Sequence, residues 1–187
     1  MPETHKKYNT TGCCGIDCGL CPRFHTKGKS ACPGCGGLNF KDKHPSCGFL
    51  SCCAGKHGLE VCSECPGYPC GRFDRETEGF DSFVTHRKVF PNLEYIKSNG
   101  IDRFAERQKI RINILVDFLA LYDDGRSKSF FCASCALLPP DRLQEIKKSM
   151  EASGNITGIK EKNIKLRTEL EKAAGTLMIG LKLNTKQ

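Results

Sequence analysis

The chain has 187 residues, of which 39% are hydrophobic and 27% charged, with a formal net charge of +8. This length suits one domain, or one domain carrying a small metal-bound module, and the composition is that of a globular chain rather than a disordered one. No apolar run approaches the ~18 residues a membrane helix needs. The polar start from Met1 to Thr11 does not read as a signal peptide, so a cytoplasmic protein with no membrane association is expected.

Three regions follow in chain order. Residues 1–71 read as a loop-rich cysteine module, 72–125 as a helical segment, and 126–187 as a small α+β extension. The first region is rich in Gly, Pro and Cys and shows almost no apolar periodicity. Such a segment buries too little hydrocarbon to offset its chain entropy, so covalent or coordinate bonds must hold it. Of 14 Cys in the chain, 12 lie between Cys13 and Cys70. Without a secretory signal, thiolate-bound metal accounts for them better than a disulfide framework.

Four Cys-x-x-Cys pairs are present: Cys18/Cys21, Cys32/Cys35, Cys62/Cys65 and Cys132/Cys135. Two intervening residues let a tight turn aim both sulfurs at one ion about 2.3 Å away. Cys14, Cys47, Cys53 and Cys70 supply single ligands to complete the shells. An N-terminal site is expected from Cys14, Cys18, Cys21, Cys32 and Cys35. A second is expected from Cys47, Cys53, Cys62, Cys65 and Cys70. Two zinc ions result, or three if all the clustered cysteines take part. Cys13 and Cys52 each abut a better-placed neighbour and are left off the ligand set. His25, His44 and His57 could replace a thiolate, but loop solvation is the simpler role. An iron–sulfur cluster is the alternative cofactor, because thiolate sites serve both metals. Cys14-x3-Cys18-x2-Cys21 has the spacing by which radical enzymes hold a 4Fe–4S cluster, yet those enzymes need a barrel longer than this chain can build.

In the second region, Asn92 is expected to cap a short helix that ends at Asn99-Gly100. Ile101, Phe104, Ile110, Ile114, Leu115, Phe118 and Leu121 then recur near the 3.6-residue period, up to the Asp123-Asp124-Gly125 turn. The third region suggests strand–helix–helix–strand. Ser129 to Leu137 is short and apolar with paired Phe. Pro139-Pro140-Asp141 starts a helix to about Met150, which Ser153-Gly154-Asn155 breaks, and a second helix runs from about Gly158 to Ala174. Leu177, Ile179, Leu181 and Leu183 alternate like a half-buried strand. If the stretch around Cys132 and Cys135 is extended, their sulfurs fall on opposite faces, and both read as small core residues.

The basic excess lies at the C-terminal end, where residues 126–187 hold 12 basic and 6 acidic side chains and no aromatic follows Phe131. Lys160, Lys162, Lys165, Arg167 and Lys172 therefore read as a solvated helix face, with Glu161–Lys165 and Arg167–Glu171 spaced to pair. Without aromatics on which bases could stack, specific nucleic-acid binding is not expected. Asp123, Asp124, Arg126 and Lys128 form a polar cluster that could line a catalytic site, although an Asp-Gly turn followed by a solvated strand entry is the favoured account.

Cys14-Gly15-Ile16-Asp17-Cys18-Gly19-Leu20-Cys21-Pro22, Cys32-Pro33-Gly34-Cys35, Cys53-Ala54 and Cys62-Ser63-Glu64-Cys65-Pro66-Gly67-Tyr68-Pro69-Cys70 together resemble the cysteine-rich family catalogued as domain of unknown function 3795. His86, Asn92-Leu93, Ile96 and Gly100-Ile101 resemble its following helical segment. Asp124 to Cys132 and Ile179 to Leu183 resemble a C-terminal extension of some members. The resemblance implies a metal-binding protein and brings no established reaction with it. Cys13, Cys52 and Cys135 lie outside the family pattern.

The expectation is therefore a metal-binding cytoplasmic module with structural zinc, acting as a binding or adaptor protein for an unidentified protein partner. The alternative is an iron–sulfur protein with a redox or cluster-handling role. No Ser/His/Asp order, phosphate-cradling Gly loop or His-Glu-x-x-His helix points to an enzyme.

Overall fold

The computed structural model describes residues 6–44, 46–153 and 158–185. Every regular element among them is helical. From Lys6 to Phe73 the chain is mostly turns. These include a 3-10 turn at Cys18–Leu20, the short helices α1 (Phe40–Lys43) and α2 (Gly48–Leu50), and a π-helical turn at Ser51–Lys56. Further 3-10 turns follow at Cys62–Glu64 and Gly71–Phe73. Then come α3 (Asp74–Thr77), α4 (Val89–Asn99), α5 (Ile101–Tyr122), α6 (Lys128–Leu137), α7 (Pro140–Ala152) and α8 (Ile159–Thr176).

The 22-residue α5 is the axis: α4, α6, α7, α8 and the Cys18–Leu20 turn all pack on it. Its buried residues Phe104, Gln108, Ile114, Leu115, Phe118 and Tyr122 trace the helical period. Leu143, Ile146 and Met150 of α7 and Leu166, Leu170 and Ala174 of α8 close the main core around Phe118 and Phe131. Each such Leu or Phe contributes roughly 1.5–3 kcal/mol by leaving water. A second apolar cluster joins Cys14 and Val61 of the loops to Val89, Leu93, Ile96 and Phe104 of the helices. The loop region and the helices thus share a core across residue 71. Gly100 makes the sharp corner between α4 and α5 at φ +85°, where a side chain would be strained.

The expected α+β class and its β-α-α-β unit are corrected by this architecture. Ser129–Leu137 belongs to α6, in which all seven residues from Phe131 to Leu137 are buried. A helix enclosed on every side has no polar stripe, so its sequence carries no period and resembles a short buried strand. The alternation from Leu177 to Leu183 is real, and Ile179 and Leu181 do pack on the core. No neighbouring strand takes up the backbone groups of this segment. Instead Arg87 donates to Gly180 O at 2.5 Å and to Lys182 O at 2.9 Å, and Asn184 N–H donates to Asp81 Oδ2 at 2.9 Å. Asp81 N–H also donates to Asn184 O at 2.7 Å, so side chains and this single backbone bond stand where a ladder was expected.

Other boundaries shift less. Asn92 is not a cap: α4 begins at Val89, and Asn92 lies buried inside it. The helix expected from about Gly158 runs Ile159–Thr176, and α7 ends at Ala152. Gly154 and Asn155 of the expected break lie outside the described residues. Arg167 pairs with Glu171 at 3.7 Å, whereas no ion pair joins Glu161 and Lys165.

Asn163 fastens three elements at once. Its amide donates to Tyr122 O at 2.8 Å, and its oxygen accepts from Ser127 Oγ at 3.1 Å. Asn163→Ala would strand both partners in a buried site, so it is expected to cost about 1–3 kcal/mol in a denaturant melt. Ile164→Ala, one residue on but 65% exposed, is expected to change stability by less than about 0.5 kcal/mol. Equal costs would show that Asn163 is not the tie.

Candidate metal centre

Four stretches far apart in sequence bring sulfur to one place. The first is the turn from Gly12 to Asp17, closed by Gly12 N–H to Ile16 O at 2.8 Å and by Gly15 N–H to Gly12 O at 2.9 Å. Gly15 sits at φ +88°, and a Cβ there would lie 2.6 Å from Val89 O. The second is Cys32-Pro33-Gly34-Cys35, in which Cys35 N–H donates to Asn9 O at 2.8 Å. The third is the π-helical turn Ser51–Lys56, which carries Cys53. The fourth is the Cys62–Glu64 turn, whose first N–H donates to Cys13 O at 2.8 Å.

Cys13 is fully buried, with its Sγ 3.8 Å from Cys35 Sγ. The Cys13 backbone N–H also donates to Cys35 Sγ at 3.4 Å. The Cys53 thiol donates to Leu59 O at 3.4 Å and lies within electrostatic reach of Cys13 and Cys62. Cys35, Cys13, Cys53 and Cys62 therefore share one cluster, the sulfur run, packed with Phe40, Leu50 and Leu59.

The protonated thiols are strongly favoured in this setting. At Cys13 the hydrogen bond with Cys35 pulls the pKa down, but the nearby Cys53 thiol and burial carry it up to about 12. At Cys53 the nearby Cys13 thiol lowers it, and the nearby Cys62 thiol and burial push it up to about 12. Cys35 is raised by its hydrogen bond to Cys13 and by burial. One cation stands beside them. Lys6 is 9% exposed, and its ammonium donates to Thr11 O at 2.7 Å. Burial lowers the Lys6 pKa, but attraction to Cys35, Cys13 and Glu60 more than offsets this, and the net shift is upward.

The sulfurs meet in pairs: no group of three or more His, Cys, Asp or Glu side chains among the described residues is already gathered as a metal shell. The donor chemistry and one edge nonetheless suit a single thiophilic ion. With bonds of about 2.3 Å, a tetrahedral thiolate shell has edges of about 3.8 Å, the separation of Cys13 and Cys35. A backbone N–H aimed at Cys35 Sγ is also the kind of donor that steadies a thiolate.

The expected ligands are distributed differently from their expected grouping. Cys14 packs in the apolar cluster with Val61 and Leu93, and it also lies within electrostatic reach of Cys18, Cys35 and Cys47. Cys18 and Cys47 pack beside the sulfur run. Cys65 and Cys70 line a cavity of about 30 Å³ together with Cys52, Cys53, Cys62 and His57. Cys21 lies within electrostatic reach of Cys32 and of Cys132. Cys35 thus joins partners from both expected sites, and Cys13, which spacing left aside, is at the centre.

Cys132 and Cys135 are buried in the main core at 2% and 0% exposure. Their offset of three places them toward one side of a helix, not on opposite faces of a strand. Burial raises Cys132 to about 12 and Cys135 further. The polar cluster after α5 is spent on its own turn. Asp123 Oδ1 accepts from Gly125 N–H and Ser127 N–H at 3.1 and 3.0 Å, Asp124 Oδ1 accepts from Arg126 N–H at 3.1 Å, and Lys128 donates to Thr26 Oγ1 at 3.4 Å. His25 Nε2 meets Gly19 O at 2.8 Å, and His44 stacks on Phe40.

Two glycines isolate the packing requirement of the centre. Gly28 and Gly34 share φ values of +82° and +83°, but only Gly34 is crowded, with Asn9 O 2.2 Å from a built Cβ. Gly28→Ala is expected to cost about 1 kcal/mol from backbone strain alone. Gly34→Ala must in addition displace Asn9 from Cys35 N–H, and is expected to cost about 2–4 kcal/mol by the same melt. No protein family, curated protein or solved structure matches the chain.

Proposed function

We propose that residues 6–71 form a zinc–thiolate module in which Cys13, Cys35, Cys53 and Cys62 hold one ion. The observation that carries this reading is the 3.8 Å contact of Cys13 and Cys35 sulfurs, with Cys53 and Cys62 in the same cluster. The buried ammonium of Lys6 supports it. Four thiolates on a divalent ion carry a net charge of −2, and a nearby cation offsets part of that charge away from water. Cys65 and Cys70, with Cys52 and His57 around the adjoining cavity, are the donor set for a second ion. A 4Fe–4S cube takes each thiolate on a different iron and so spreads the sulfurs wider than one tetrahedral edge, which favours the single-ion reading.

A closed thiolate shell supplies folding free energy and leaves no coordination position for water. The chain's own residues then do the work of presenting a surface: the module is a scaffold, and its role is that of a cytoplasmic binding or adaptor module for a protein partner. The resemblance to domain of unknown function 3795 agrees with this and adds no reaction. No described helix is long and apolar enough to cross a membrane.

Elemental analysis of protein purified without oxygen tests the assignment. Zinc is expected in at least stoichiometric amount, with no visible iron–sulfur absorbance. Cys13→Ser is expected to remove one equivalent, and Cys14→Ala and Cys135→Ala none. A brown protein containing iron, or loss of zinc from Cys14→Ala with none from Cys13→Ser, overturns it.

A further inference from the structure

A cleft of about 160 Å³ opens between α4, α5 and the Asp17 turn, away from the sulfur run. Phe104, Arg107, Gln108 and Arg111 reach it from successive turns of α5, Lys88 and Tyr95 from α4 and its entry. Three cations thus surround one acid. That acid, Asp17, is 4% exposed, and both of its oxygens are already taken: Oδ1 by Gln108 Nε2 and Oδ2 by Asn92 Nδ2, each at 2.9 Å. Counting Lys88, Arg107 and Arg111 against Asp17 leaves two positive charges without a carboxylate. No ion pair among the described residues involves any of the three.

The cations are held in place rather than waving in solvent. Arg111 Nη1 donates to Ala136 O at 2.7 Å, which anchors the guanidinium and leaves its other N–H groups to a ligand. Arg107 lies over the Tyr95 ring at 4.5 Å. Burial, and repulsion from Arg111 and Arg107, lower the Lys88 pKa despite the pull of Asp17. Burial and Arg107 likewise lower that of Arg111, against Asp17. A cluster that repels itself in a half-buried cleft is stabilised by an anion of matching charge.

We propose that this cleft binds the phosphate group of a small phosphorylated molecule. A dianion matches the excess of two charges, where a carboxylate would match only half. Guanidinium forks fit phosphate oxygens in a bidentate manner. The volume holds a phosphate and a few further atoms, and Tyr95 and Phe104 offer an apolar wall to whatever the phosphate is attached to. A track of basic side chains suited to a nucleic-acid backbone is not needed, because the site is concave and closed at Asp17.

Calorimetric titration of the full chain with inorganic phosphate, and separately with phenyl phosphate, tests the proposal against sodium chloride and acetate at matched ionic strength. Saturable binding of a phosphate probe is expected, tighter for phenyl phosphate if the ring meets Tyr95 and Phe104. Lys88→Gln and Arg107→Gln are each expected to weaken it roughly tenfold or more, with the helical circular-dichroism signal and metal content unchanged. Arg103→Gln, an exposed change on α5 outside the cleft, is expected to have no effect. Two results overturn the site: heats no different from those of chloride, or equal losses in all three variants. Neither result bears on the metal reading, since none of these residues is a sulfur donor.

Discussion

The carboxylate of Asp17 holds the cysteine-rich loops to the helices. Gln108 of α5 and Asn92 of α4 each give it one amide N–H, and the same two amides reach on to the loop backbone, at Thr10 O and Gly15 O. Thr11 Oγ1 returns a bond to Gln108 Oε1 at 3.2 Å. A buried charge satisfied in this way is costly to disturb, because removing either amide leaves the other partner and the carboxylate without water to replace it. The turn from Gly12 to Asp17 is therefore set at a fixed angle on the helical frame, with Cys13 in the sulfur-rich cluster of the loops and Cys14 in the cluster shared with the helices.

That orientation matters because the loop region has little else to hold it. Its third apolar cluster is made largely of sulfur, with Phe40 and Leu50 beside Cys13, Cys35 and Cys53. The backbone is ordered mainly by turns whose hydrogen bonds are local, and these do not repay the conformational entropy of some sixty ordered residues. The coordination proposed for the sulfurs would close loops of very different length at one point. The helices need no such help, since α5 to α8 bury a continuous hydrocarbon core.

The two sites proposed for this chain meet at the same turn. Asp17 closes the floor of the cationic cleft, and four residues earlier Cys13 enters the sulfur run. The cleft draws its cations from α4 and α5, and the sulfur run draws its donors from the loops, so each can be altered without the other.

Much of this molecule was legible in the amino-acid order. The Gly-, Pro- and Cys-rich composition before residue 71 marked a loop-rich segment short of hydrocarbon, and the structure shows turns and short helices there. The period from Ile101 to Leu121, the Gly100 corner and the Asp123-Asp124-Gly125 turn placed α5 and its ends, since a half-exposed helix and a glycine-dependent turn both depend on local sequence. That Cys13 of the Cys13-Cys14 doublet meets Cys35 at 3.8 Å was not legible, because it depends on Asp17, Asn92 and Gln108 meeting from three elements. Nor was the state of Phe131 to Leu137 or of Leu177 to Leu183, where burial on all sides erased the helical period in one case. In the other, Arg87 and Asp81 occupied the backbone groups that a strand would have offered to a partner. Local patterns follow from short-range sterics and exposure; the pairing of buried polar groups far apart in the chain is decided only when the packed structure brings them within bonding distance.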